Sequence, residues 1–246
     1  MTDIDVREIG IVVDGLRKLR VGVLIQLIVG VIGVYVSVFI SIIINHVLRF
    51  VIRTNFPWFL SRGILRNILE VAQHMAGFIF IMFVVSLVTI ILSIIAIFGY
   101  IVPGASCLAK WKSKFYPAII FMKVGYIGGL PLLAIASVIL IISVLTLSIG
   151  LAISMLVLYV LAIILLIIGF VGLLILFINL YNEFNNILFL VPCLLLIIRL
   201  ILLPLYRTLL ISNILTIIAW VLIYLGLRES ISMLEKKTVT PSTTLV

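Results

Sequence analysis

The sequence contains few charged residues, and acidic residues are the rarest of them. Aspartate, glutamate, lysine and arginine make up 10% of its 246 residues, whereas soluble domains contain about 25%. The 8 acidic residues stand against 17 lysines and arginines, and none of them lies inside a long apolar run. The low charge excludes a water-soluble globular domain. The missing intramembrane carboxylates argue against a pump that relays protons through buried acids.

Cysteine and histidine are also rare, with two residues of each. Cys107 and Cys193 form no CxxC motif, so nothing indicates a disulfide framework or a thiol redox centre. His46 and His74 share no helical spacing with the cysteines that would gather metal ligands. Motifs of intramembrane proteases and of nucleotide-binding loops are missing too. We therefore predict no catalytic residue, no metal, no cofactor and no enzyme activity.

Apolar runs dominate the rest of the chain. Hydrophobic residues make up 65% of it, and its mean hydropathy is +1.51. Several runs exceed the ~18 residues that mark a transmembrane helix. The pattern predicts an all-α, polytopic integral membrane bundle of about six transmembrane helices, with one or two amphipathic surface helices. The predicted spans are residues 21–47, 75–102, 118–148, 151–180, 187–205 and 209–227.

Charged segments flank the predicted membrane domain, which covers residues 21–227. Residues 1–20 carry apolar side chains at helical spacing, which predicts either an amphipathic helix on the membrane surface or a frayed polar tail. Residues 228–246 are charged and then rich in threonine and serine, which predicts a flexible tail beyond residue 237. Lysine and arginine are more frequent on the side of the two termini. The positive-inside rule therefore predicts a cell-membrane protein with both termini in the cytoplasm.

Small residues recur at helical spacing in the first and third predicted spans. Such stripes let a neighbouring helix backbone approach closely, although glycine and serine are common in membrane helices by chance. Pro131 follows the second stripe and removes a helical hydrogen bond, which predicts a break in the third span. The predicted packing residues are Gly30, Gly33, Ser37, Ser41, Gly125 and Gly129.

Basic and aromatic side chains mark the segments between the first three spans. Cationic groups attract lipid phosphate, and tryptophan rings favour the depth of the headgroups. Because these residues flank apolar runs, the net charge of +9 indicates anionic lipid as the partner rather than nucleic acid. The predicted lipid anchors are Arg62, Arg66, Lys110, Trp111, Lys112 and Lys114.

Three polar side chains inside apolar runs form a candidate intramembrane polar site: Gln26, Lys123 and Arg199. Lys123 is close enough to the start of its span to snorkel. Arg199 lies deeper, where insertion costs about 2.5–3.5 kcal/mol. It can snorkel, pair with Glu183 or with the carbonyls of a broken helix, or bind an anion or lipid. Its depth depends on whether residues 187–227 form two short spans or one broken helix.

Two stretches of the sequence resemble a family of archaeal multispanning membrane proteins of uncharacterised function. Residues 15–20 (Gly-Leu-Arg-Lys-Leu-Arg) precede a first span striped with glycine and serine, and residues 224–227 (Tyr-Leu-Gly-Leu) precede a charged tail. The glycine-rich later spans look like that family too. The resemblance implies a multispanning membrane protein and implies no reaction or catalytic residues. The closely spaced fifth and sixth spans depart from the family's pattern.

These patterns lead to two functional hypotheses. The first is a membrane-organising protein or complex subunit that acts through helix packing and anionic-lipid contact, with lipids, other membrane subunits or a second copy as partners. The alternative is a channel or transporter for a small solute, built around the broken third span and Arg199. A transporter requires a polar cavity that reaches Arg199 and is lined by Gln26, Tyr35, Tyr159 or Asn213. A packing protein requires these side chains in dry interfaces.

Overall fold

A computed structural model describes residues 6–53, 81, 84–146, 149–202 and 209–239. Within these ranges the chain is helical and contains no β-strand. A short 3₁₀ turn, Ser113–Phe115, separates the second helix from the third. The helices are α1 (Val6–Arg53), α2 (Val84–Trp111), α3 (Tyr116–Thr146), α4 (Ile149–Phe184), α5 (Leu190–Leu202) and α6 (Leu209–Val239).

Five of the described helices are long and apolar enough to cross a membrane. The all-α class is therefore confirmed for the described residues. The exception is α5, which has 13 residues and measures roughly 20 Å, less than the ~30 Å hydrocarbon core. It replaces most of the predicted span 187–205, and residues 203–208 lie outside the described ranges. The five apolar stretches are Glu8–Phe39, Val84–Trp111, Ser113–Ile139, Ile153–Phe184 and Leu210–Lys236.

The structure corrects the prediction of a separate surface helix over residues 1–20. From Val6 onward this segment belongs to α1, which is continuous for 48 residues. Its apolar side chains Val12, Leu16 and Leu19 are fully buried and belong to the main hydrophobic core, where α1 packs against α2 and α6. An apolar helix face can cover either lipid or protein, because both uses require the same periodicity.

At the other end of the chain, the last helix runs past residue 227, the predicted end of the membrane domain. The helix α6 continues to Val239. Ser230, Ile231 and Leu234 are buried, because apolar side chains keep their helical spacing past the predicted boundary. Arg17 Nη2 lies 2.8 Å from Glu235 Oε1, so the start of α1 and the end of α6 lie side by side. We call this part of the molecule the charged end.

The predicted break at Pro131 is absent, and α3 is helical throughout. Proline leaves one backbone carbonyl without its helical partner, but neighbouring helices hold such helices together in membrane bundles. The two glycines before it pack on α4: an ideal Cβ at Gly128 would lie 2.8 Å from Leu165 Cδ1, and one at Gly129 2.9 Å from Leu166 Cγ. Tertiary packing therefore keeps α3 continuous.

The contact between α3 and α4 is the most extensive helix contact in the described chain. An ideal Cβ at Gly125 would overlap the backbone nitrogen of Gly169, and one at Gly172 would lie 2.6 Å from the backbone nitrogen of Met122. Only glycine permits such an approach, because any side chain would separate the two backbones. The helices α3 and α4 together form one wall of the bundle interior.

The helix α4 ends at an asparagine pair that turns the chain into α5. Asn185 has a φ of 49°, a left-handed conformation that asparagine tolerates better than most residues. Asn186 Oδ1 then accepts a hydrogen bond from the backbone N–H of Leu188 at 3.0 Å, a turn that asparagine commonly forms. The turn directs α5, and with it Arg199, back into the bundle.

Candidate functional site

A half-open cavity of about 450 Å³ lies between the helices, and all six described helices contribute to its wall. Its volume falls in the range of roughly 300–1,000 Å³ that is typical of small-molecule sites. Apolar side chains form most of the wall, which is also typical of such sites. The polar residues of the described wall are Gln26, Thr89, Ser93, Tyr126, Arg199, Asn213 and Thr216.

The cavity lies deep between the ends of the helices. Arg199 is nine residues after Leu190, the first residue of α5, which places it about 13 Å along the helix axis. Tyr126 is ten residues after Tyr116, the first residue of α3, a rise of about 15 Å. Both helices start near the charged end. These depths correspond to the middle of a hydrocarbon layer of ~30 Å.

Arg199 brings a positive charge to this cavity. Its Nε atom is buried and has no hydrogen-bond partner. Tyr126, which also lines the cavity, is near enough to interact with the guanidinium electrostatically, but a neutral phenol does not balance the charge. No carboxylate in the described ranges forms an ion pair with Arg199. A guanidinium stays protonated in proteins, so its charge has no fixed counter-ion among the described residues.

The structure does not contain the pairing of Arg199 with Glu183 that the sequence left open. Glu183 lies in the last turn of α4, where its Oε2 accepts a hydrogen bond from Lys112 Nζ at 2.6 Å and its Oε1 pairs with Lys114. Lys112 Nζ also lies 4.6 Å from the ring centre of Trp111. Trp111, Lys112 and Lys114, which were predicted as lipid anchors, therefore contact side chains of their own chain. They join the corner between α2 and α3 to the end of α4.

Replacing Glu183 by glutamine tests this corner. We expect Glu183→Gln to lower the free energy of unfolding by about 1–2 kcal/mol, because two lysines lose their counter-ion. The Glu183 side chain is only 13% exposed, so water screens this pair less than a surface pair. Asp14→Asn is the matched control, since Asp14 pairs with Lys18 in an exposed pair, which water screens, and should lose less stability. Thermal unfolding in detergent measures the stability of both variants. An equally small loss of stability in the two would show that the Glu183 pairs do not stabilise this corner.

Asn213 is fixed in the cavity wall by α1. Its Nδ2 donates hydrogen bonds to Gly33 O at 3.1 Å and to Ser37 Oγ at 2.5 Å. Ser37 Oγ in turn donates to Gly33 O at 2.9 Å. Gly30 of α1 also packs on α6, since an ideal Cβ at Gly30 would lie 3.2 Å from Ile217 Cγ1. Part of the predicted small-residue stripe of α1 therefore forms its contact with α6.

The helix α2 changes its geometry beside the cavity. Residues Ile95–Ile101 form a π-helical segment, and two of them, Ile97 and Ile101, line the cavity. Gly22 of α1 packs against this segment, because an ideal Cβ there would lie 2.6 Å from Ile101 Cγ1. The wider turn of a π-helix is rare and occurs mostly at functional sites. This irregularity coincides with the cavity wall.

Lys123 does not reach the cavity. Its side chain is exposed on α3 and shares a separate surface groove with Lys110. Of the predicted intramembrane polar site, the structure therefore brings together only Gln26 and Arg199.

The four residues named as possible lining of a transport cavity divide evenly. Gln26 and Asn213 lie in the cavity wall. Tyr35 and Tyr159 are exposed on the outer surface of α1 and α4. Neither of the two tyrosines that the transporter hypothesis named therefore lies in the described cavity wall.

Among the cavity residues that could not be named from the sequence are Tyr126, Thr216 and Trp220. The helical spacing of the sequence could have indicated two of them. Thr216 and Trp220 follow Asn213 at positions i+3 and i+7, which places all three on one face of α6. Tyr126 had no such signal, because a lone tyrosine in an apolar run is equally typical of an interface or of a helix contact.

The remaining candidates give no second site. Arg62, Arg66 and His74 lie outside the described residues. Within the described ranges, no three His, Cys, Asp or Glu residues are placed to hold a metal ion. Cys107 Sγ donates a weak hydrogen bond to Asp14 Oδ2 at 3.6 Å. Ser41, the last residue of the predicted stripe in α1, is partly buried.

No curated protein and no solved structure matches this chain. One family profile does match. It is described as "Protein of unknown function (DUF973)" and covers residues 12–245, which include every described residue of the cavity wall. This confirms the expected membership of an uncharacterised family, whereas the archaeal origin stays a prediction. Because the match spans far more than half of the sequence, the chain belongs to the DUF973 family.

Proposed function

We propose that this chain is an integral membrane protein that holds a small solute in its central cavity and acts as a channel or transporter for it. The observation that carries the proposal is the cavity itself, about 450 Å³ in volume, with Gln26 and Arg199 in its wall. Dry helix interfaces would have closed around these side chains. An ionisable residue that faces such a space inside a membrane protein is by default a functional candidate.

The membrane-organising hypothesis has less support from the geometry. Two of the small residues that were predicted to pack against a helix do so within the chain, where Gly33 contacts α6 and Gly125 contacts α4. Lys112 and Lys114 pair with Glu183. Among the described lipid anchors, the exposed side chain of Lys110 remains available for an anionic headgroup. We therefore treat lipid contact as a secondary property.

We further propose that the cavity binds its solute without a chemical step. Covalent or acid–base catalysis requires a nucleophile beside a base, or a carboxylate, histidine or cysteine near the substrate. The ionisable residues in the described part of the wall are Tyr126 and Arg199. A guanidinium and a phenol supply hydrogen bonds and positive charge, which suits binding.

The arrangement of charge supports the proposed orientation. Arg17 contacts Glu235, so both ends of the described chain lie at the charged end of the bundle. Lys112 and Lys114 lie at the same end, because they pair with Glu183 in the last turn of α4. Lysine and arginine collect on the cytoplasmic side of membrane proteins. We therefore propose that the charged end faces the cytoplasm of the cell membrane.

Filling the cavity is expected to stop solute flux. Ser93→Trp places a large ring in the cavity from α2. Vesicles that contain this variant should release trapped solutes no faster than protein-free vesicles, whereas wild-type vesicles should release at least one class faster. A panel of lactate, methylammonium and glycerol covers an anion, a cation and a neutral solute.

Val157→Trp is the matched control for this experiment. It adds the same ring to the outer surface of α4, where Val157 is 60% exposed, and should keep the wild-type flux. Circular dichroism and size-exclusion chromatography check that both variants fold. Flux through Ser93→Trp at the wild-type rate would contradict the proposal, as would wild-type release at the protein-free rate for every solute, including the longer probes used below.

A further inference from the structure

We propose that the solute of this cavity is an amphipathic monoanion: one carboxylate on a small apolar body. The inference rests on the proposed function and names the class of solute. It follows from three properties of the described cavity wall, namely its charge, the geometry of its cationic group and its apolar surface.

The charge of the wall selects the sign and number of charges on the solute. Arg199 is the one charged residue of the described wall, and no carboxylate among the described residues forms an ion pair with it. A solute with one negative charge neutralises the guanidinium. A cation would be repelled, and a dianion would leave one uncompensated charge in a medium of low dielectric constant, which is strongly unfavourable.

The geometry of Arg199 favours a carboxylate. A guanidinium is a planar fork whose parallel N–H groups match the two oxygens of a carboxylate. The Nε–H group forms part of one edge of that fork, and in this structure Nε is buried without a hydrogen-bond partner. A carboxylate would supply the hydrogen-bond acceptor that this N–H group lacks. Tyr126 and Gln26 line the same space and add neutral donors near the head of the solute.

The rest of the cavity wall is mostly apolar and therefore favours a solute with an apolar body. Leu130, Ile167, Phe170 and Trp220 are among the residues that line it. The Trp220 ring is held in place, since it meets the ring of Phe177 edge-on at 6.1 Å and 77°. A volume of about 450 Å³ is far more than one carboxylate fills. Each additional buried CH₂ should strengthen binding about fourfold until the cavity is full.

Trp220 provides a reporter inside the cavity. The sequence contains three tryptophans, so replacing Trp58 and Trp111 by phenylalanine leaves Trp220 as the sole tryptophan. Three brominated probes of equal length, 8-bromooctanoate, 8-bromooctan-1-ol and 8-bromooctylammonium, are titrated in detergent while quenching of Trp220 fluorescence is recorded. We expect saturable quenching by the carboxylate, with an apparent affinity about 10–100-fold above those of the alcohol and the ammonium.

Substitutions at Arg199 locate the source of this preference. Arg199→Gln keeps hydrogen-bonding capacity but removes the charge, and should bring the carboxylate to the affinity of the alcohol. Arg199→Lys keeps the charge but loses the fork, and should give an intermediate preference. Lys123→Gln is the matched control, because Lys123 is exposed outside the cavity, and should bind like the parent. Thermal stabilisation of the unmodified chain by octanoate, but not by octanol, gives a second readout if the tryptophan variant folds poorly.

Each outcome bears on the assignment. Equal affinity for the alcohol and the carboxylate would overturn the claim that the solute is an anion, although the cavity would still bind a solute. Tighter binding of the dianion suberate than of octanoate would overturn the single charge. An undiminished carboxylate preference in Arg199→Gln would overturn the role of Arg199. The absence of both quenching and thermal stabilisation would overturn the inference as a whole. Flux of lactate, methylammonium or glycerol that Ser93→Trp blocks would still support the proposed function in each of these cases.

Discussion

Gly125→Ala is expected to lower the free energy of unfolding by about 3 kcal/mol, at the upper end of what overpacking costs. An ideal Cβ at Gly125 would overlap the backbone nitrogen of Gly169 and lie 2.5 Å from the carbonyl oxygen of Leu165. These are backbone atoms and cannot rotate away. The two helices would have to separate along their whole contact, which is the most extensive in the described bundle.

Gly10→Ala is the control for this substitution. It makes the same chemical change in α1, where no heavy atom lies within 4 Å of the ideal Cβ. Alanine is a better helix former than glycine, so this variant should gain about 0.5–1 kcal/mol. Thermal or denaturant unfolding in detergent measures both. A Gly125→Ala variant as stable as Gly10→Ala would show that α3 and α4 do not pack by backbone contact.

Arg199→Leu is expected to make the protein more stable and inactive at the same time. The substitution removes a buried cation that lacks a counter-ion among the described residues, so we expect a gain of about 1–3 kcal/mol in the free energy of unfolding. It also removes the group that we propose binds the solute. The flux that Ser93→Trp blocks should therefore fall to the level of protein-free vesicles. Melting temperature and vesicle flux are the two measurements.

Lys123→Leu serves as the control because it removes a cation that faces outward on α3. It should change neither the flux nor the melting temperature appreciably. A stabilised Arg199→Leu variant with wild-type flux would rule out a transport role for Arg199. A destabilised Arg199→Leu variant would show that the guanidinium holds the fold together.

The helices themselves could be predicted from the sequence because run length determines them. The predicted span 151–180 corresponds to α4, Ile149–Phe184, and the chain turns at the two asparagines that follow it. Small-residue spacing indicated that Gly125 faces another helix. It could not indicate which helix, because the spacing describes one helix face and contains no information about its neighbour.

The cavity could not be predicted, because it depends on how six helices meet. The apolar face of residues 9–19 has the same periodicity whether it covers lipid or protein, so the surface helix was an equally valid reading of the pattern. Pro131 was expected to break α3, but the glycines before it pack on α4 and the helix continues. Among the described residues Arg199 has no counter-ion, because Glu183 pairs with two lysines instead, a tertiary contact without a local sequence pattern.

The lengths of α1 and α6 have a mechanical consequence. With 48 and 31 residues, they measure roughly 72 Å and 46 Å, and both exceed the ~30 Å of a hydrocarbon layer. They pack against each other and are joined by Arg17 and Glu235 at the charged end. The same two rods carry Gln26 and Asn213 in the cavity wall. A force that tilts the part of either helix beyond the hydrocarbon layer would therefore act as on a lever and shift the polar wall of the cavity.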